Sequence, residues 1–190
     1  MIRLFAALSI PAEVGAALVP RQIGIDGARW RPLEALHVTL RFFGEVREDV
    51  ARDLDAELLS LRVRPFEITL QGAGAFGEGP DLHAVWAGVA DTPELTRLAA
   101  ACERAARRVR LPVETRRYRP HVTLAYLRRP DPRQAAAWMQ ANNLLRSPPI
   151  LVSEFGLFSS VLTAEGSRYT LEASYPLARH GPAHPFAAEE

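Results

Sequence analysis

Lysine is absent from this chain of 190 residues; all 23 of its basic side chains are arginine. Arg is spread over the whole length, which reads as the residue bias of a GC-rich genome. The absence excludes a lysine-dependent phosphate loop. The glycines Gly72, Gly74, Gly77 and Gly79 also lack the spacing and the following helix of one; they are expected to form a loop. Cysteine is nearly absent. The lone Cys102 excludes an internal disulfide and makes the cytoplasm the simplest location. No apolar stretch has the length of a membrane span, and Met1-Ile2-Arg3-Leu4 lacks the cleavage pattern of a signal peptide. The formal net charge is only +1, so bulk electrostatics does not demand a nucleic-acid partner.

What is present in quantity is apolar side chain, 48% of the residues, enough for a globular core. Within it one tetrapeptide occurs twice, as His37-Val38-Thr39-Leu40 and His121-Val122-Thr123-Leu124. In an extended strand residues i and i+2 share a face. Each copy then presents an imidazole and a hydroxyl on one side, with Val and Leu turned into a core.

A four-residue repeat can arise by chance, so its flanks must agree. They do. Leu4 to Ile10 precedes the first copy and Leu82 to Val89 the second, each an apolar strand-like run followed by a helix signal at Pro11 or Pro93. Pro65 and Pro149 each lie 28 residues after their histidine and open a second apolar run. The pattern predicts a β-α-β-α-β half used twice. Strands are expected also at 28–31, 36–43, 66–70, 121–127, 150–158 and 168–175. Apolar stripes predict helices from Val46 to Leu61, from Leu95 to Val109 and from Pro132 through Met139. Cys102 falls on such a stripe and is expected to be a buried, inert thiol. Residues 1–178 are expected to form a single bilobal domain, with halves near 1–78 and 82–160 plus a C-terminal strand, and 179–190 a mobile tail.

Histidine is the side chain best matched to proton transfer near neutral pH. Two of them flanking a phosphodiester can take a proton from water and deliver one to the leaving oxygen. Threonine hydroxyls can bind the non-bridging oxygens. Neither metal nor covalent intermediate is required. Arg116, Arg117, Arg119, Arg128 and Arg129 bracket the second copy with no acid between them. They are either RNA-phosphate contacts or solvated strand-end charges. Phe155, Phe158 and Tyr169 either stack a base or fill the core. His83 reads as a packed or edge residue. His180 and His184 lack a helical frame for a metal.

These motifs carry a family resemblance. Leu36 to Leu40 with Phe43-Gly44-Glu45, Pro120 to Leu124, and Phe155 to Phe158 before Arg168-Tyr169 resemble the two-histidine phosphoesterase superfamily. Within it they resemble the RNA 2′,3′-cyclic phosphodiesterase branch, formerly called 2′-5′ RNA ligase. The resemblance implies an α+β fold of two pseudo-symmetric lobes, with antiparallel sheets around a central cleft and helices outside. It implies hydrolysis of RNA 2′,3′-cyclic phosphate ends to 2′-phosphomonoesters by a monomer without cofactor or metal. His37 would be proton donor and His121 proton acceptor, with Thr39 and Thr123 on the phosphate. Small cyclic nucleotides are further possible substrates. Phosphate binding without turnover, or 2′-5′ ligation, are the competing functions. Many relatives carry Arg five residues after the second His; here Tyr126 stands there. Arg41, Arg119 and Arg128 are the candidates to replace it, Arg41 because it shares strand parity with His37 and Thr39. Phe158 and Tyr126 are further candidate RNA contacts.

Overall fold

Apolar strands and amphipathic helices alternate along the chain, as the two periodicities require. The computed structural model describes residues 1–163 and 166–177. The predicted tail at 179–190, with His180 and His184, lies outside them. The elements run β1 (Ile2–Ser9), α1 (Ala12–Leu18), β2 (Arg29–Trp30), β3 (His37–Val46), α2 (Glu48–Leu59), β4 (Phe66–Ile68) and β5 (Leu70–Phe76). Then come β6 (Ala84–Val89), α3 (Pro93–Arg108), β7 (His121–Tyr126), α4 (Pro132–Asn142), β8 (Ile150–Val152), β9 (Glu154–Thr163) and β10 (Gly166–Pro176). Predicted strand 150–158 is thus two strands, and α1 starts behind Pro11 at its N-cap position.

The strands pair antiparallel in the order β10-β9-β1-β3-β7-β6-β5, with β2 alongside β7. Both histidine motifs therefore lie in the two central strands. Antiparallel pairing with one covered face suits the fold class read from the sequence. The ladders of β1 with β3 and of β9 with β10 are long, but β3 and β7 are joined at a single pair, Val38 opposite Val122. A second small sheet pairs β4 with β8, with Glu67 opposite Leu151. Val122 lies 84 residues after Val38 and Leu151 lies 84 after Glu67, so both junctions join corresponding positions of the two halves.

Sequence order and sheet membership differ at the outer strands. β5 pairs with β6, and β9 pairs with β1. β5 is also a correction: the glycines expected to form a loop include Gly72 and Gly74 within this strand. The reason is steric. A Cβ on Gly74 would stand 2.3 Å from the Trp86 ring on β6, and one on Gly88 would meet the Gln71 carbonyl at 2.6 Å. Glycine here permits close cross-strand approach. Gly77 and Gly79, both at positive φ, form the turn beyond.

Helices α2 and α3 lie against each other, and α3 lies against β3. The predicted stripe of α3 is buried, including Leu95, Leu98, Cys102 and Ala105. Burying a leucine fully contributes about 1.5–3 kcal/mol relative to exposure. Two such residues offset the backbone entropy of several others and fix the helix behind the central strands. Among the described residues no helix is long and apolar enough to cross a membrane.

Candidate active site

The pairing of Val38 with Val122 determines the site. One residue to either side, the antiparallel register sets His37 toward Thr123 and Thr39 toward His121. The valines are fully buried, while the four polar residues are half-buried on the other face. β3 and β7 pair at this one position, and a cavity opens beside Thr39, His121 and Thr123.

Each imidazole is held by its own strand entry. His37 Nδ1 donates to the Ala35 carbonyl at 2.9 Å, and His121 Nδ1 donates to the Arg119 carbonyl at 2.7 Å. A carbonyl only accepts, so Nδ1 carries the hydrogen and Nε2 of each neutral ring is left with its lone pair. Neither Nε2, nor either threonine hydroxyl, has a hydrogen-bond partner among the described residues. Rings fix the imidazoles from the side. Phe5 and Tyr169 pack on His37 at 5.0 and 5.2 Å between centroids. Phe76 and Trp86 pack on His121 at 4.7 and 6.0 Å.

Burial makes both rings harder to protonate. For His37 it lowers the pKa to about 4, with the charges of Arg31 and His121 adding to the effect. For His121 burial again lowers the pKa, and Arg119 adds to it. At neutral pH the empty site therefore holds two uncharged imidazoles.

Thr39, His121, Thr123 and Tyr126 line a cavity of about 500 Å³, together with Phe76 and His83. Arg116, Arg117 and Arg119 border it too, whereas Arg128 and Arg129 are exposed outside its lining. Arg119 stands over the Trp86 ring, and Arg116 is paired with Glu114 just outside the acid-free stretch. Phe158 lies one layer back, stacked on Phe5 rather than bordering the cavity. His83 donates through Nδ1 to the Asp81 carbonyl and stacks on Phe76.

Arg41 borders this cavity, as its strand position suggested, but its guanidinium is already engaged. Thr39 pairs with Ala7 and Arg41 with Ala6, so a β-bulge breaks the parity between them. The Arg41 side chain is buried, and its guanidinium bonds to Glu103 at 2.5 Å, to the Pro112 carbonyl at 2.5 Å and to the Phe42 carbonyl. Its charge is neutralised inside the protein.

Arg31 was not singled out by the sequence. It follows β2, whose Trp30 pairs with Ala125, and its backbone N–H donates to the Leu124 carbonyl at 2.8 Å. Its guanidinium stands over the rings of Tyr126 and Tyr169, at 5.6 and 5.3 Å from their centroids. Two residues of β2 between prolines and glycines give too short a pattern to reveal this.

Two imidazoles and two threonine hydroxyls thus flank the seam of the antiparallel sheet. The chain belongs to the 2′-5′ RNA ligase superfamily, whose family model matches residues 19–162. It is 33% identical over 199 aligned positions to an RNA 2′,3′-cyclic phosphodiesterase of Thermus thermophilus, covering 95% of this chain and 93% of the relative. It is 31% identical to the Escherichia coli protein of the same name, covering 88% and 92%. Among solved structures, a Thermus thermophilus protein superposes with TM-score 0.77 at 29% identity over 93% of this chain and 98% of its own. E. coli LigT complexed with 3′-AMP superposes with TM-score 0.74 at 25% identity over 94% and 99%.

Proposed function

We propose that this protein hydrolyses RNA 2′,3′-cyclic phosphate ends to 2′-phosphomonoesters by metal-independent acid–base catalysis. The observation that carries the reading is the pair of imidazoles with Nδ1 locked to backbone and Nε2 free, each beside a free threonine hydroxyl. One histidine takes a proton from water as the water oxygen bonds to phosphorus. The other gives a proton to O3′ as the P–O3′ bond breaks. The product keeps phosphate on O2′ and gains a 3′-hydroxyl. Thr39 and Thr123 donate to the non-bridging oxygens.

His121 is assigned as acceptor and His37 as donor. The donor role of His37 then depends on substrate. Its low pKa in the empty site must rise when the phosphate anion enters and offsets the positive charge of Arg31. Arg119, beside the cavity, is placed to meet phosphates beyond the reacting one. A cytoplasmic, monomeric protein is part of the same reading.

The test is turnover of an oligonucleotide ending in 2′,3′-cyclic phosphate, in excess chelator, with the product position identified. The expected product is the 2′-phosphate. His37→Ala and His121→Ala should each lower kcat by about 10²–10⁴. Loss of wild-type activity in chelator, or a double variant as active as wild type, overturns the mechanism. Binding of the same oligonucleotide without turnover would establish a binding module instead.

A further inference from the structure

Two arginines are buried to the same degree, each only 8% exposed, and they differ in one respect. Arg41 is surrounded by acceptors: Glu103, Glu114 and two backbone carbonyls. Among the described residues Arg31 has no carboxylate partner and its buried Nη2 has no hydrogen bond. Burying an unpaired charge costs several kcal/mol. A protein that keeps one must recover that cost when something binds.

The surroundings of Arg31 say what binds. The guanidinium stands over the rings of Tyr126 and Tyr169. A cation–π contact supplies no hydrogen-bond acceptor, and Nη2 keeps its N–H groups unbonded among the described residues. Those groups form a fork that matches the oxygens of a phosphate. Tyr126 lines the cavity of the site, and Tyr169 packs on His37, so the guanidinium lies between the cavity and the first histidine. Its charge acts on His37 from there. The backbone is fixed on both sides: the N–H of Arg31 bonds to Leu124, and its carbonyl accepts from Gln22 Nε2 at 2.8 Å.

We propose that Arg31 is the phosphate-binding cation of this site, contacting a non-bridging oxygen of the reacting phosphate from above Tyr126. This rests on the phosphodiesterase reading for the identity of the phosphate. In the first half of the sequence yet docked along β7 of the second, Arg31 fills the role left open by the absence of Arg at 126. Arg119 and Arg128 are not needed for it.

Arg31→Met and Arg31→Gln remove the charge and keep length. Two measurements are made on each: the rise in Tm caused by inorganic phosphate, and kcat/KM on adenosine 2′,3′-cyclic phosphate across pH. The variants are expected to match or exceed wild-type Tm in phosphate-free buffer, since the unpaired charge is gone. They are expected to lose most of the phosphate-dependent rise and to fall about 10²–10³-fold in kcat/KM, the usual effect of deleting one oxyanion donor. The limb of the pH profile set by His37 should move to higher pH, because a positive charge beside that donor has been removed. A phosphate response and kcat/KM within twofold of wild type overturn the proposal. So does failure of both variants to fold, because the proposal gives the guanidinium no contact that the fold requires. If wild type itself does not turn over the cyclic nucleotide, the phosphodiesterase reading fails, and the phosphate titration alone still decides the role of Arg31.

Discussion

At the residue scale, the low pKa of His37 has a cost in acid. Above its unfolded value of about 6.5 neither state is protonated, and the native protein is fully favoured. Between about 6.5 and 4 the unfolded chain binds a proton that the native ring refuses, so stability falls as pH falls. Below 4 both states are charged and the loss is complete, on the order of 3 kcal/mol. Urea unfolding at pH 7 and pH 4.5 should show this drop, and His37→Gln should remove most of the His37 share. An identical drop in that variant would place the acid sensitivity elsewhere. The same asymmetry predicts proton uptake on binding. If phosphate raises the His37 pKa, calorimetry of phosphate binding near pH 6 in buffers of different ionisation enthalpy should detect net uptake. That uptake should vanish in His37→Gln.

At the element scale, two glycines each make room for a ring behind a histidine. Gly74 lies under Trp86, which packs on His121. A Cβ on Gly156 would stand 2.6 Å from the ring of Phe158, which stacks on Phe5 behind His37. Gly74→Ala should displace Trp86, costing about 1–3 kcal/mol of stability by overpacking. Turnover should drop by one to two orders of magnitude through misplacement of His121. Wild-type turnover with Trp86 emission unchanged would show that the ring does not position the histidine. These positions also explain what was legible in the sequence. The common face of His37, Thr39, His121 and Thr123 could be read because the alternation of a strand is local and was repeated with matching flanks. The stripe of α3 could be read for the same reason, at period 3.6. Gly74 could not, because what requires glycine there is the Trp86 ring on another strand, and Gly72, at positive φ, looks like a turn residue from the sequence alone. That Arg41 is occupied could not be read, because its partners Glu103 and Pro112 are far away in sequence and a bulge against β1 turns its side chain toward them. Arg31 escaped because its partners, Tyr126 and Tyr169, are far away in sequence.

At the scale of the whole molecule, the core records its own opening. Cys102 is the only cysteine, fully buried on α3, and burial pushes its thiol up to about 12. A thiol reagent at pH 8 should therefore label it only on unfolding, with a rate that tracks denaturant. Fast labelling of the native protein would mean that α3 opens locally. Sheet membership has a further outcome during synthesis. The three strands on the His121 side, β5, β6 and β7, are contiguous in order of translation, whereas β1 and β3 wait for β9 and β10 to cover their outer edge. A nascent chain stalled beyond α4 should thus resist protease around β7 while remaining cleavable near β1. The first histidine to be made would then be the last to reach its working position, and no partially translated product could carry out the reaction.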